Sequence, residues 1–181
     1  MIPLDIAVLR RRLAVTPVTL SHLVAELPDE AFVFREAPGC WTLTEILCHL
    51  NEGERENWIP RVRVILSDAP ERRFTPFDRE AGAKRYAGWT VPALLDEFAR
   101  LRRESLDALD ALDVRPEQLS RTAQHPQLGI VTLEQLLSTW VTHDHGHLAQ
   151  IARVLTRWSG QRVGPWREFF SLLRSDTAEA R

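Results

Sequence analysis

Residues 133–158 read LEQLLSTWVTHDHGHLAQIARVLTRW, a run with three histidines in five positions. Its leucines, Trp140, Ile151 and Trp158 recur at three- and four-residue spacings, the repeat of an amphipathic helix rather than a strand. Thr132, just before the run, is a good N-cap, and Ser159-Gly160 is a stop. At about 100° per residue, the apolar face is centred between Leu133, Leu137, Trp140, Leu148, Ile151, Leu155 and Trp158. His147 and Asp144 project onto that face and His143 onto its edge. His145 points roughly 110° away, toward solvent or a subunit contact. The run predicts a long helix that turns two imidazoles and a carboxylate inward.

Three more segments carry the same periodicity. The first spans about Leu4 to Leu27 and is expected to be interrupted at Thr16-Pro17, a pair that can cap and restart a helix. The second follows PGCW, is capped by Thr42 or Thr44, and runs to about Leu66 with a bend at Pro60. Its apolar stripe is Leu43, Ile46, Leu47, Leu50 and Ile65. The third runs from about Thr90 to Leu112 and ends before Pro116. A short apolar tail, VGPWREFFSLL, predicts a minor C-terminal helix, and the TAEAR end is expected to fray. Strand-type alternation is almost absent.

The expected fold class is therefore all-α: a four-helix bundle in a single domain over residues 1–181. The connection between the second and third helices, SDAPERRFTPFDREAGAKRYAGWT, is long enough for a crossover or a functional lid. A simple up-and-down bundle is the less favoured topology.

Composition narrows the function. The formal net charge is −2 and the apolar fraction 44%, with no basic block or acidic tail. That gives no electrostatic case for nucleic acid or an anionic membrane surface. No run of about 18 apolar residues exists, so no bilayer span is expected. The opening MIPLDIAVLRRRLAV carries charges inside its apolar pattern, so no signal peptide is expected. Cys40 and Cys48 form no CxxC motif and are too few for a disulfide framework, which leaves a cytoplasmic location as the expectation.

His143 and His147 are one helical turn apart, and such stacked neighbours can converge on one ion at about 2.0–2.1 Å. The pair is weak evidence alone. His49 adds a third imidazole on the edge of the second helix's stripe. Gly53, one turn beyond it, either clears room for a ligand or permits close helix packing; a glycine in a helix costs about 1 kcal/mol against alanine.

These residues, WTLTEILCHLNEGE on one helix and HPQLGIVTLEQLLSTWVTHDHGHLAQI far downstream, resemble the DinB/YfiT-like superfamily of metalloenzymes. LRRESLDAL on the third helix and the C-terminal VGPW extend the likeness over most of the chain. The resemblance implies a four-helix bundle with a crossover and a three-histidine metal site, whose ligands fall by position on His49, His143 and His147. It implies a homodimer and one divalent metal ion, zinc or nickel favoured. It also implies an enzyme acting on a small molecule, with transfer of a low-molecular-weight thiol such as bacillithiol or mycothiol, held as a metal-bound thiolate, ahead of metal-assisted hydrolysis. A non-catalytic metal-binding dimer is the alternative.

Other residues stay open. Asp144 either orients a ligand imidazole or pairs with an arginine such as Arg100 or Arg103. Glu52 and Glu56 are possible acid/base groups, but a solvated charged face is the favoured reading. His125, in QHPQLG, could reach the mouth of the site; a turn residue before proline is favoured. His22 reads as structural, Trp41 and Trp140 as core anchors. No basic cluster points clearly at a sugar-acid or carboxylate cofactor, and Arg72, Arg73 and Arg79 in the crossover are no more than candidates for one.

Overall fold

A computed structural model describes residues 4–174. Helix α1 spans Ile6–Leu23, α3 Leu43–Glu56, α4 Trp58–Leu66, α6 Val91–Ala111 and α7 Leu133–Ser159. The short helices α2 (Asp29–Val33) and α5 (Ala81–Arg85) lie in the connections. Hydrogen bonds at the helix starts explain their positions. Thr42 and Glu45 form a reciprocal capping box on α3, as do Thr132 and Gln135 on α7. Thr90 caps α6, with Pro92 in its first turn.

Helix α1 packs chiefly on α6 and α7, and α3 likewise packs on α6 and α7. The first two long helices are therefore diagonal in the bundle, as a crossover requires. The crossover itself is anchored by α5. A Cβ on Gly82 would lie 2.5 Å from the Cys48 carbonyl oxygen, so only glycine lets α5 rest directly on the α3 backbone. Arg85 of α5 then reaches Glu52 at 2.7 Å. Among the described residues no helix is long and apolar enough to cross a membrane.

The core has two large apolar clusters and a smaller one of Leu47, Cys48, Tyr86 and Leu94 beside α5. One large cluster holds Leu9, Leu13, Trp58, Val62, Leu106, Leu137 and Trp140; the other holds Leu20, Leu43, Ile46, Phe98, Ile151 and Val154. The buried polar residues Thr16, Glu54, Arg102 and Asp144 tie the helices of both together.

Four expectations are corrected. Helix α1 is not interrupted at Thr16-Pro17 but continues through it. Proline removes the N–H that would bond the Leu13 carbonyl, and the buried Arg102 Nη1 donates to that carbonyl instead at 2.7 Å. Pro60 does not bend a continuous helix; the break falls at Asn57, between α3 and α4. Pro60 has no N–H for the Glu56 carbonyl and its ring crowds that oxygen, which accounts for the break one residue later at Asn57.

The C-terminal tail is not one helix but short 3-10 turns, Gly160–Arg162, Gly164–Phe169 and Ser171–Leu173. Gly164, at φ +54° with Pro165 after it, separates the first turn from the second, and the extended backbone of Phe170 separates the second from the third. The fraying expected for TAEAR lies outside the described residues. Finally, QHPQLG is part of an antiparallel hairpin, β1 (Thr122–His125) with β2 (Gly129–Thr132). Gly129, at φ +77°, closes its loop. The crossover runs beside β1, with Phe74 N–H donating to the Gln124 carbonyl at 2.9 Å.

Candidate metal centre

His49 comes from the middle of α3, and His143 and His147 from successive turns of α7. The fold brings all three sequence-expected ligands together. His143 Nε2 lies 3.1 Å from His49 Nε2 and 3.1 Å from His147 Nε2. Two nitrogens bound at about 2.0–2.1 Å to one ion are about 2.9–3.4 Å apart, from right-angled to tetrahedral geometry. The observed separations fall within that range, and one ligand atom from each residue lies within 4.8 Å of the others.

Protonation favours the same arrangement. Gln150 Oε1 accepts from His147 Nδ1 at 2.8 Å, which leaves the His147 Nε2 lone pair facing its neighbours. Burial, reinforced by His147, lowers His49 to about 4, while the nearby Arg79 backbone pulls the other way. Burial and the two neighbouring imidazoles lower His143 to about 2. Burial also lowers His147, against the Gln150 hydrogen bond and Asp144. Neutral imidazoles at pH 7 present lone pairs, the form a metal needs. The donor set fits a divalent ion.

Aromatic side chains frame the three rings. Trp41, read from sequence as a core anchor, instead sits against His49 at 4.8 Å between centroids and lies nearly parallel to His147. Phe77 of the crossover meets His49 edge-on at 5.8 Å, and Trp58 meets His143 at 5.1 Å. Trp140 is a core anchor as expected, fully buried and stacked on Trp58. Gly53 lies beneath this corner. A Cβ there would be 3.6 Å from Trp58 Nε1 and 3.9 Å from His143 Cε1, ordinary contacts with both. Close helix packing therefore does not require the glycine.

Asp144 follows His143 but faces another cluster. Its partner is Arg102, not Arg100 or Arg103, at 2.6 and 2.9 Å. Arg100 is engaged by Glu97 and Glu104 on its own helix. Arg102 also donates to Glu54 Oε1 at 2.8 Å, which accepts from Trp140 Nε1 as well, and Thr16 donates to Asp144 at 2.6 Å. Its effect on the adjoining imidazoles is divided, since Asp144 favours a positive charge at His147 while Arg102 opposes one at His143.

The remaining candidates separate clearly. Glu52 is buried against Arg85 and pins the crossover, while Glu56 is half-exposed. His145 is exposed beside Arg12, in line with its outward placement. His22 is also exposed, in the last turn of α1. Arg72 donates to the Ile65 carbonyl and Arg73 pairs with Glu71.

The three imidazoles open onto a cleft of 360 Å³, whose walls include Trp58, Phe74, Phe77, Val131 and Leu136. His125, from the end of β1, also lines it, and so do Arg61 and Arg79. Asn57 lines it too; its side-chain oxygen is buried without a hydrogen-bond partner. Sequence reading missed Arg61, Arg102, Glu54 and Gln150. For Gln150 a signal existed, since it stands one turn beyond His147.

A crossover bundle with three converging imidazoles below an open cleft has the build of a metal-dependent protein. The chain belongs to the DinB superfamily, whose family profile matches residues 12–151. It is 23% identical over 150 residues to a protein of Oceanobacillus iheyensis named a putative metal-dependent hydrolase, covering 78% of this chain and 80% of that one. It is 26% identical over 151 residues to YfiT of Bacillus subtilis, which has the same designation, covering 79% of this chain and 81% of that one. The solved structure of YfiT, described as a probable metal-dependent hydrolase with an unusual four-helix bundle topology, matches with a TM-score of 0.71. That match has 23% identity and covers 85% of this chain and 87% of the other. It establishes the shared four-helix bundle fold.

Proposed function

We propose that this protein is a divalent-metal-dependent hydrolase acting on a small molecule, with His49, His143 and His147 as the metal ligands. The convergence of three Nε2 atoms at the base of an open cleft carries the reading. Three neutral nitrogen donors suit zinc or nickel. Such an ion supplies Lewis acidity, which acidifies water and polarises a carbonyl.

The chain's own groups do the rest. The imidazoles approach from the bundle side and leave the cleft side free for substrate, as a catalytic rather than a structural site requires. Gln150 fixes the His147 tautomer. Trp58 and Phe77 wall the reacting end and limit water there. His125 Nδ1 accepts from the backbone N–H groups of Gln127 and Leu128, both at 3.2 Å, so its neutral ring carries the proton on Nε2 and can donate it in a hydrogen bond.

One observation favours thiol transfer as a second reading. No carboxylate of the described residues lines the cleft, so a water nucleophile has no carboxylate base there. A thiol is acidic enough to lose its proton on coordination without one. Elemental analysis tests the common part. Purified protein should carry about one equivalent of metal, and His49→Ala and His147→Ala should each abolish it. Wild-type protein that holds no metal and takes up none when supplied would sink the reading. A panel of esters and amides, run beside thiol-plus-electrophile assays on metal-loaded protein, then decides between the two reactions.

A further inference from the structure

The cleft has a second pole beyond the imidazoles. The Arg61 guanidinium lies over the Phe74 ring at 4.9 Å, and Phe74 meets His125 edge-on at 6.1 Å. Arg61, Phe74 and His125 therefore form one corner, while Phe77 and Trp58 border the imidazoles. Arg61 is half-buried, yet among the described residues its guanidinium makes one hydrogen bond, a long 3.4 Å contact to the Thr75 carbonyl. No carboxylate of the described residues is within ion-pair distance of it. Arg85 and Arg100 are raised by the hydrogen bonds they donate to Glu52 and Glu97, whereas Arg61 is lowered by burial.

The charge of the cleft is one-sided. Arg61 and Arg79 line it and no aspartate or glutamate does, although the chain has 25 acidic residues against 23 basic ones. A half-buried cation with no internal counter-charge is costly unless an anion completes it. One guanidinium with one imidazole N–H matches the two oxygens of a carboxylate.

We propose that the cleft takes a small organic carboxylate, with its head on Arg61 and the Nε2–H of His125 and its apolar body against Phe74, Phe77 and Leu136. The rest of the molecule then reaches the three imidazoles, with the unpartnered Asn57 side-chain oxygen available to a polar group between. This names the substrate class of the hydrolase proposed above and rests on that reading for its reaction, but not for its binding.

The test is a ligand-observed NMR titration of metal-free, folded protein with hexanoate, hexanol and hexylamine, repeated after zinc is added. Hexanoate should bind at least about tenfold tighter than hexanol, and hexylamine more weakly than either. Arg61→Met should remove the hexanoate advantage and leave hexanol binding unchanged, while Arg61→Lys should keep part of it. If hexanol binds metal-free wild-type protein as tightly as hexanoate, the proposal is wrong. It is also wrong if the advantage appears only with zinc and survives Arg61→Met, because the carboxylate then sits on the metal. Should Arg61→Met fail to fold, the ratio in wild type and Arg61→Lys decides. Failure of metal uptake would overturn the hydrolase reading and leave this result standing.

Discussion

Two polar clusters lie side by side in the bundle interior, and their chemistry differs. Around Arg102, each charged group meets an opposite charge, and the Thr16 hydroxyl, the Trp140 indole and the Leu13 carbonyl add hydrogen bonds. At His49, His143 and His147, three nitrogens face one another with no charged partner between them. The first cluster is charge-paired by the chain itself, with only Glu54 Oε2 and Arg102 Nε left without a hydrogen bond, and serves stability. The second is completed only by something the chain does not supply. Buried polar groups gather at both, but only the open one adjoins the cleft.

The sharpest way to break this comparison is to remove the central charge of the closed cluster. Arg102→Met leaves Asp144 and Glu54 buried without their cation, and the expected loss of stability is about 3–5 kcal/mol by urea denaturation. His147→Ala in the metal-free protein removes a neutral ring from a cleft wall and should cost about 1 kcal/mol. Equal losses in the two variants would mean that the imidazoles are structural too.

Much of this contrast was hidden in the sequence for physical reasons. Periodicity exposed α3, α6 and α7, because each buries one long apolar stripe, and the threonine caps fixed where two of them start. Helical facing also found His143, His147 and Asp144 and turned His145 outward. Arg102 escaped because a fully buried guanidinium breaks the rule that places arginine on the solvent side. The continuity of α1 escaped with it, since the group that satisfies the Leu13 carbonyl comes from α6. Strands as short as β1 and β2 carry too few residues to show alternation, so His125 read as a turn residue. Phe74 and Phe77 stand in a crossover without periodicity, and only the folded chain shows that they reach the site. Of the crossover arginines named from sequence, only Arg79 lines the cleft.

The histidine cluster should also reveal itself through acid. An imidazole whose folded pKa lies below its unfolded value near 6.5 takes up a proton on unfolding. Its contribution to stability is fully present above pH 6.5 and is lost as the pH falls below that value. For His49 the loss continues to about pH 4 and for His143 to about pH 2. Each group then costs up to about 1.4 kcal/mol per pH unit. Urea denaturation of the metal-free protein should therefore show stability falling steeply from pH 6.5 to 4.5. His143→Ala should flatten that slope, whereas an unchanged slope would place the acid sensitivity elsewhere.

Gly53 gives the smallest effect and the finest test of where the open cluster ends. The glycine sits inside α3, where alanine is better by about 1 kcal/mol. A Cβ at this position would only touch Trp58 Nε1 and His143 Cε1 at ordinary contact distance. Gly53→Ala should therefore raise the unfolding free energy slightly and leave metal stoichiometry unchanged. A larger side chain would have to displace the His143 ring, so Gly53→Val should lose metal while the fold persists. If alanine alone lowers metal content, the space beneath His143 is part of the site, and the boundary between the two clusters lies nearer to Glu54 than the ring positions place it.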